Sequence, residues 1–127
     1  MRPSTFQAHI RATLPAYCRR IDQDCPLDRW VSYAVKVLRD AGIDTYESCQ
    51  GGVGHAFAEP TIRFHGTLAD GFRAYAVAVT FGLPVRYLRR TWYLTDGEPT
   101  GPYWELTFWT RGLRRLQREA ERNGRLD

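Results

Sequence analysis

Two helix–glycine–strand junctions of the same design fix most of what this chain can fold into. Arg39-Asp40-Ala41-Gly42-Ile43 and Val79-Thr80-Phe81-Gly82-Leu83 each set a glycine behind an amphipathic run and an apolar residue behind the glycine. Glycine closes a helix in the left-handed conformation, and the apolar residue after it packs back on the last turn. Ahead of the first junction, Trp30, Val31, Ala34, Val35 and Leu38 recur at helical spacing and predict a helix over 27–41. Ahead of the second, Thr67 and Asp70 read as a capping box. Leu68, Phe72, Ala76 and Val79 mark the expected buried face of a helix ending at Gly82.

Strand signals follow each junction. Residues 43–48 and 61–64 read as strands, the second with Ile62 and Phe64 alternating with Arg63 and His65. Residues 84–94 form a long β-rich run, followed by a turn-dense loop from Asp96 to Pro102. The last strand, 103–109, turns Trp104, Leu106 and Phe108 one way and Tyr103, Glu105, Thr107 and Trp109 the other. A final helix spans 111–123 and stops at Gly124. The order α-β-β-α-β-β-α predicts an α+β fold: a four-stranded, mainly antiparallel sheet with helices on one face. The paired junctions suggest a duplicated αββ unit in the circular order of a ferredoxin-like sandwich. Such a sheet leaves its other face for a ligand or a second subunit. Pro3, Pro15 and Pro26 punctuate the start of the chain, where Phe6, Ile10 and Leu14 fit a short helix. The chain therefore divides into an arm over 1–26 and an α+β domain over 27–127.

Composition narrows the class. A chain of 127 residues with 43% hydrophobic and 25% charged residues suits one globular domain. The net charge is +4, and Lys36 is the only lysine. Arginine suits planar, bidentate recognition of phosphate and carboxylate, although a GC-rich genome produces the same bias. Cys18, Cys25 and Cys49 are odd in number and contain no CxxC pair. That argues against a disulfide scaffold and against a structural zinc site. No run is apolar enough for a signal peptide or a membrane span, so a cytoplasmic protein is expected.

The chemistry concentrates in Glu47-Ser48-Cys49-Gln50-Gly51-Gly52-Val53-Gly54-His55. Glycines after a strand let successive amides point into one concavity, an anion-binding nest over Gly51, Gly52 and Gly54. Ser48 and Gln50 can donate to phosphate or sugar oxygens, and Glu47 can accept from a sugar hydroxyl or base amine. Cys49 and His55 form a candidate nucleophile and base, against the alternative of an inert buried thiol and a surface histidine. By period-two counting Glu47, Arg63, His65 and Glu105 share the open sheet face, with Arg89 placed to neutralise a phosphate. A merely solvated face is the competing reading. Arg111, Arg114, Arg115, Arg118, Arg122 and Arg125 fall within an arc of roughly 100° on the last helix. This is either a solvated basic face or a surface for nucleic acid or a protein partner. Walker, GxSxG and HExxH motifs are absent from the sequence.

The run from Thr45 to His55, Glu59-Pro60-Thr61-Ile62-Arg63-Phe64-His65-Gly66 and Gly101-Pro102-Tyr103-Trp104-Glu105-Leu106 resemble a family of small phage- and prophage-encoded proteins, across 27–109. The resemblance implies a viral context and carries no mechanism with it. Ser48-Cys49-Gln50-Gly51 is also similar to the Ser-Cys-Ser-Gly motif of wybutosine-synthesising methyltransferases, without the rest of that pattern. Small phage proteins that sequester cyclic nucleotide signals are similar in size and setting. The leading expectation is a non-catalytic, homo-oligomeric protein that holds a phosphorylated small molecule or nucleotide at 47–55 and the adjoining sheet face, with no cofactor or metal. The alternatives are a Cys49/His55 thiol enzyme and an adaptor acting through the arginine helix.

Overall fold

The computed structural model describes residues 28–126. The expected arm, its short helix, Cys18 and Cys25 lie outside them. The elements are α1 (Arg29–Asp40), β1 (Asp44–Cys49), β2 (Thr61–His65), α2 (Leu68–Thr80), β3 (Val85–Thr95), β4 (Glu98–Phe108) and α3 (Thr110–Arg122). The four strands form one antiparallel sheet in the order β1-β2-β4-β3. The expected α+β fold is present, and this strand order is the one a ferredoxin-like sheet takes when its chain is started at a helix. Each αββ half contributes one hairpin, and β2 and β4 meet antiparallel at the centre.

Local chemistry explains the boundaries. Gly42 and Gly82 adopt φ of +84° and +75°. Ile43 and Leu83 donate back to Leu38 and Ala78 at 3.0 and 2.9 Å, and both side chains are buried. The Thr67–Asp70 capping box opens α2. The core joins Val31, Ala34, Val35 and Leu38 of α1 to Ile62, Phe64, Leu106 and Phe108 of the sheet, and to Leu113 and Ala120 of α3. Burying each of these larger side chains contributes about 1.5–3 kcal/mol.

Two expectations are corrected. The face that α2 buries is Gly71, Ala74 and Ala78, while the expected Leu68, Phe72, Ala76 and Val79 are exposed, as is Tyr75. The cause is Trp104, whose indole N–H donates to the carbonyls of Gly66 and Thr67 at 3.1 Å, just ahead of the helix. A Cβ on Gly71 would sit 2.3 Å from the Trp104 ring, so only the small-residue face of α2 can approach the sheet. The turn-dense loop is in fact a tight hairpin. Asp96 and Gly97 take φ of +52° and +80°, a primed two-residue turn matched to strand twist, and pairing resumes at Glu98. Gly71→Ala should therefore lower stability by about 1–3 kcal/mol, read as a shifted denaturant midpoint.

Candidate functional site

The glycine loop is built onto the start of α1. Asp28 is the N-cap of that helix, yet its carboxylate makes no cap bond to it. It accepts the Gln50 amide at 2.8 Å, and Gln50 Oε1 in return accepts the Trp30 amide at 3.4 Å. Helix and loop thus satisfy each other's unpaired donors. Gly51, at φ +82°, packs so closely on the Glu59–Pro60 backbone that a Cβ would lie 2.4 Å from the Glu59 carbonyl carbon. The loop then folds back, with Gly52 N–H donating to Ala58 O at 3.0 Å and His55 N–H to Gly52 O at 3.2 Å. This return sets His55 Nδ1 3.7 Å from Asp28 Oδ2. A ligand-forming atom of each of Asp28, Cys49 and His55 lies within 4.8 Å of the other two.

The same bonds limit the expected anion nest. The amides of Gln50, Gly51, Gly52 and His55 are spent on Asp28, the Cys49 sulfur, Ala58 and Gly52. Among the described residues Val53 and Gly54, at the exposed tip, keep amides without a partner.

Beside the loop, three guanidiniums surround one indole. Arg29, Arg114 and Arg118 lie 4.2, 4.9 and 5.1 Å from the Trp30 ring. Arg29 is held bidentate by Glu121, at 2.9 and 2.7 Å. Arg114 and Arg118 have no carboxylate partner among the described residues, and Arg114 Nε is buried without a hydrogen bond. Gln117, buried on α3, locks the two helices by accepting the Tyr33 amide at 2.9 Å and donating to Ser32 Oγ at 2.9 Å. Arg111, Arg115 and Arg122 are exposed on the same helix, away from Trp30.

The open sheet face forms a different constellation. Strand register aligns Glu47, Arg63, Glu105 and Arg89 in one row across all four strands, with alternating charge. Arg63 Nη1 donates to Glu47 at 3.0 Å and Arg89 Nε to Glu105 at 2.6 Å. Arg63 Nε lies 3.5 Å from the other Glu105 oxygen, within ion-pair range but without a hydrogen bond. Tyr93 also donates to Glu105, which is fully buried. Next to this row Tyr46 stacks on His65 at 4.1 Å, and Arg63 lies over the Tyr93 ring at 4.1 Å. Glu47, Arg63, His65, Arg89 and Glu105 are thus gathered as expected. Ser48 pairs with Ile62 on the opposite face and joins neither group.

Ionisation follows from this packing. Burial, reinforced by the Glu47 carboxylate and opposed by Arg63, pushes the Tyr46 phenol up to about 12. Burial and then the bond to Glu105 raise Tyr93. Burial lowers Arg63, but its bond to Glu47 and the surrounding anions outweigh that and raise it. The Glu105 hydrogen bond raises Arg89. A cavity of about 420 Å³, lined by Tyr33, Lys36, Val37, Asp40, Phe81 and Arg125, lies at the C-terminal half of α1. That is the opposite end of the helix from Asp28. Among the described residues no helix is long and apolar enough to cross a membrane.

Sequence reasoning missed Asp28 and Trp30 as site residues, and it placed Arg114 on the arginine arc without its contact to Trp30. Trp30 fits the apolar stripe of α1, and an aspartate before a helix is explained by capping alone.

Two tests follow from the sheet face. Glu105→Gln should cost about 2–3 kcal/mol, because two guanidiniums and a phenol lose a buried anion. The Tyr46 phenol resists ionisation only in the folded state. Its contribution is therefore complete below pH 10 and is lost as pH rises toward about 12. Tyr46→Phe should flatten that alkaline loss in a pH series of denaturant midpoints. At pH 7 it should leave stability equal or slightly higher, since the Tyr46 hydroxyl is buried without a partner.

Comparison with protein-family models, curated proteins and solved structures finds no match to this chain.

Proposed function

We propose that the protein binds a phosphorylated small molecule, a nucleotide in the first instance, where the glycine loop, the start of α1 and α3 meet. The observation that carries this reading is the pair Arg114 and Arg118, set against Trp30 without a carboxylate partner among the described residues. A guanidinium stacked on an aromatic ring keeps its in-plane N–H donors for a phosphate, and the ring restricts its motion beforehand. The free amides of Val53 and Gly54 and the ring of His55 supply further polar groups from the loop. Arg63 and Arg89 face carboxylates at 3.0 and 2.6 Å, so in this reading they support the sheet instead of taking the ligand's charge.

The same proposal includes sequestration of a signal nucleotide by a phage-encoded protein in the host cytoplasm. It also includes self-association through the exposed α2 stripe of Leu68, Phe72, Tyr75 and Val79. The meeting of Cys49 with His55 favours a second reading, thiol chemistry with His55 as base. An alkylation rate at Cys49 that exceeds that of an ordinary buried thiol at neutral pH would support it, and an inert thiol would remove it.

Calorimetry against nucleoside mono-, di- and triphosphates, cyclic nucleotides and pyrophosphate tests the main reading. At least one should bind, and Arg114→Ala with Arg118→Ala should weaken it by about tenfold or more, as expected for lost charge-assisted bonds. Arg115→Ala should leave it unchanged. Absence of binding, or a double variant that binds like the wild type, would contradict the reading. Strong, salt-dependent binding to nucleic acid that Arg115→Glu and Arg122→Glu abolish would instead establish the adaptor alternative.

A further inference from the structure

The three donors that converge at the base of the loop differ in kind: a carboxylate, a thiol and an imidazole. They come from separate parts of the chain. Asp28 precedes α1, Cys49 ends β1, and His55 is returned by the glycine loop. We infer that Asp28 Oδ2, Cys49 Sγ and His55 Nδ1 form a binding site for a divalent transition-metal ion of the zinc class.

Geometry separates this from a hydrogen-bonded triad. The 3.7 Å between His55 Nδ1 and Asp28 Oδ2 is too long for a hydrogen bond. It is close to the edge of a tetrahedron around zinc, about 3.4 Å for bonds of about 2.1 Å to nitrogen and oxygen. The edges to sulfur are about 3.6 Å for a zinc–sulfur bond of about 2.3 Å. All three atoms already lie within 4.8 Å of one another, so side-chain torsion alone closes the remainder.

The surroundings suit coordination. Gly51 N–H points at Cys49 Sγ from 3.4 Å and so helps to orient the sulfur. Asp28 Oδ2 is held by the Gln50 amide at 2.8 Å, and a carboxylate oxygen has a second lone pair for the ion. Outer bonds of this kind orient metal ligands. Cys49 is buried while His55 is exposed, so the site opens on one side. Thiolate with imidazole selects zinc-type ions over magnesium and calcium. Three protein ligands leave one tetrahedral position for water. The lack of a CxxC pair does not bear on such a site, because its ligands are brought together by the fold and not by local spacing. The cation site does not depend on what Arg114 and Arg118 hold.

Cobalt(II) is the direct probe, because it reports both geometry and thiolate ligation by absorption. The full chain with Cys18→Ser and Cys25→Ser, so that Cys49 is its only thiol, should bind one cobalt ion. It should show tetrahedral visible bands and a thiolate-to-cobalt charge-transfer band, and zinc should displace the ion. Cys49→Ser in that background should abolish the charge-transfer band. His55→Gln and Asp28→Asn should each weaken binding by at least about tenfold, with unchanged circular dichroism as the check on folding. Lack of stoichiometric cobalt binding in the Cys49-only protein, or a charge-transfer band that survives Cys49→Ser, would overturn the inference. So would affinities in the folded His55→Gln and Asp28→Asn variants equal to that of the parent.

Discussion

The organisation of this protein depends on where one carboxylate is spent. Asp28 stands at the N-cap of α1 but gives its oxygen to the Gln50 amide of the loop, and Gln50 returns its own side chain to the Trp30 amide. An ordinary cap would satisfy the helix and leave the loop to itself. The exchange ties them together. It holds the loop, and with it His55, against the start of α1, whose first residues also meet α3. There, Gln117 accepts a second α1 amide, and Arg114 and Arg118 settle on Trp30. Gly51 is the conformational requirement of the arrangement, since any side chain would collide with the Glu59 backbone.

The sheet shows the opposite economy. The face that carries no helix among the described residues bears charge, but its row Glu47–Arg63–Glu105–Arg89 alternates in sign and is neutral as a whole. A buried glutamate is unfavourable alone. Here two guanidiniums and the Tyr93 hydroxyl surround it. The cations on this face are thereby matched, so the proposed anionic guest is assigned to the arginines of α3 that lack a carboxylate partner among the described residues.

Much of the architecture was legible in the sequence because its signals are local. Gly42 and Gly82 close helices, Thr67 and Asp70 open one, and Trp104, Leu106 and Phe108 alternate with polar neighbours. The face of α2 was not legible from hydropathy, because steric exclusion by Trp104 at Gly71 overrides the preference for burying Leu68 and Phe72. The hairpin at Asp96–Gly97 was hidden by the proline- and glycine-rich residues that follow it, which pair as a strand all the same. At the site, the glycine loop stood out in the sequence, and Cys49 and His55 could be named as a candidate pair against the alternative of an inert buried thiol. Asp28 and Trp30 could not, since each has a sufficient local explanation and acquires its other role only through contacts distant in sequence.

In the proposed reading the loop, the start of α1 and α3 form one binding site separate from the sheet face. Backbone and arginine-side-chain nitrogen NMR during titration with a nucleotide tests it most directly. Shifts are expected at the Val53, Gly54 and His55 amides together with Arg114 and Arg118 Nε, and none at Arg63 or Arg89. Shifts confined to Arg63, Arg89 and the tyrosines beside them would contradict it.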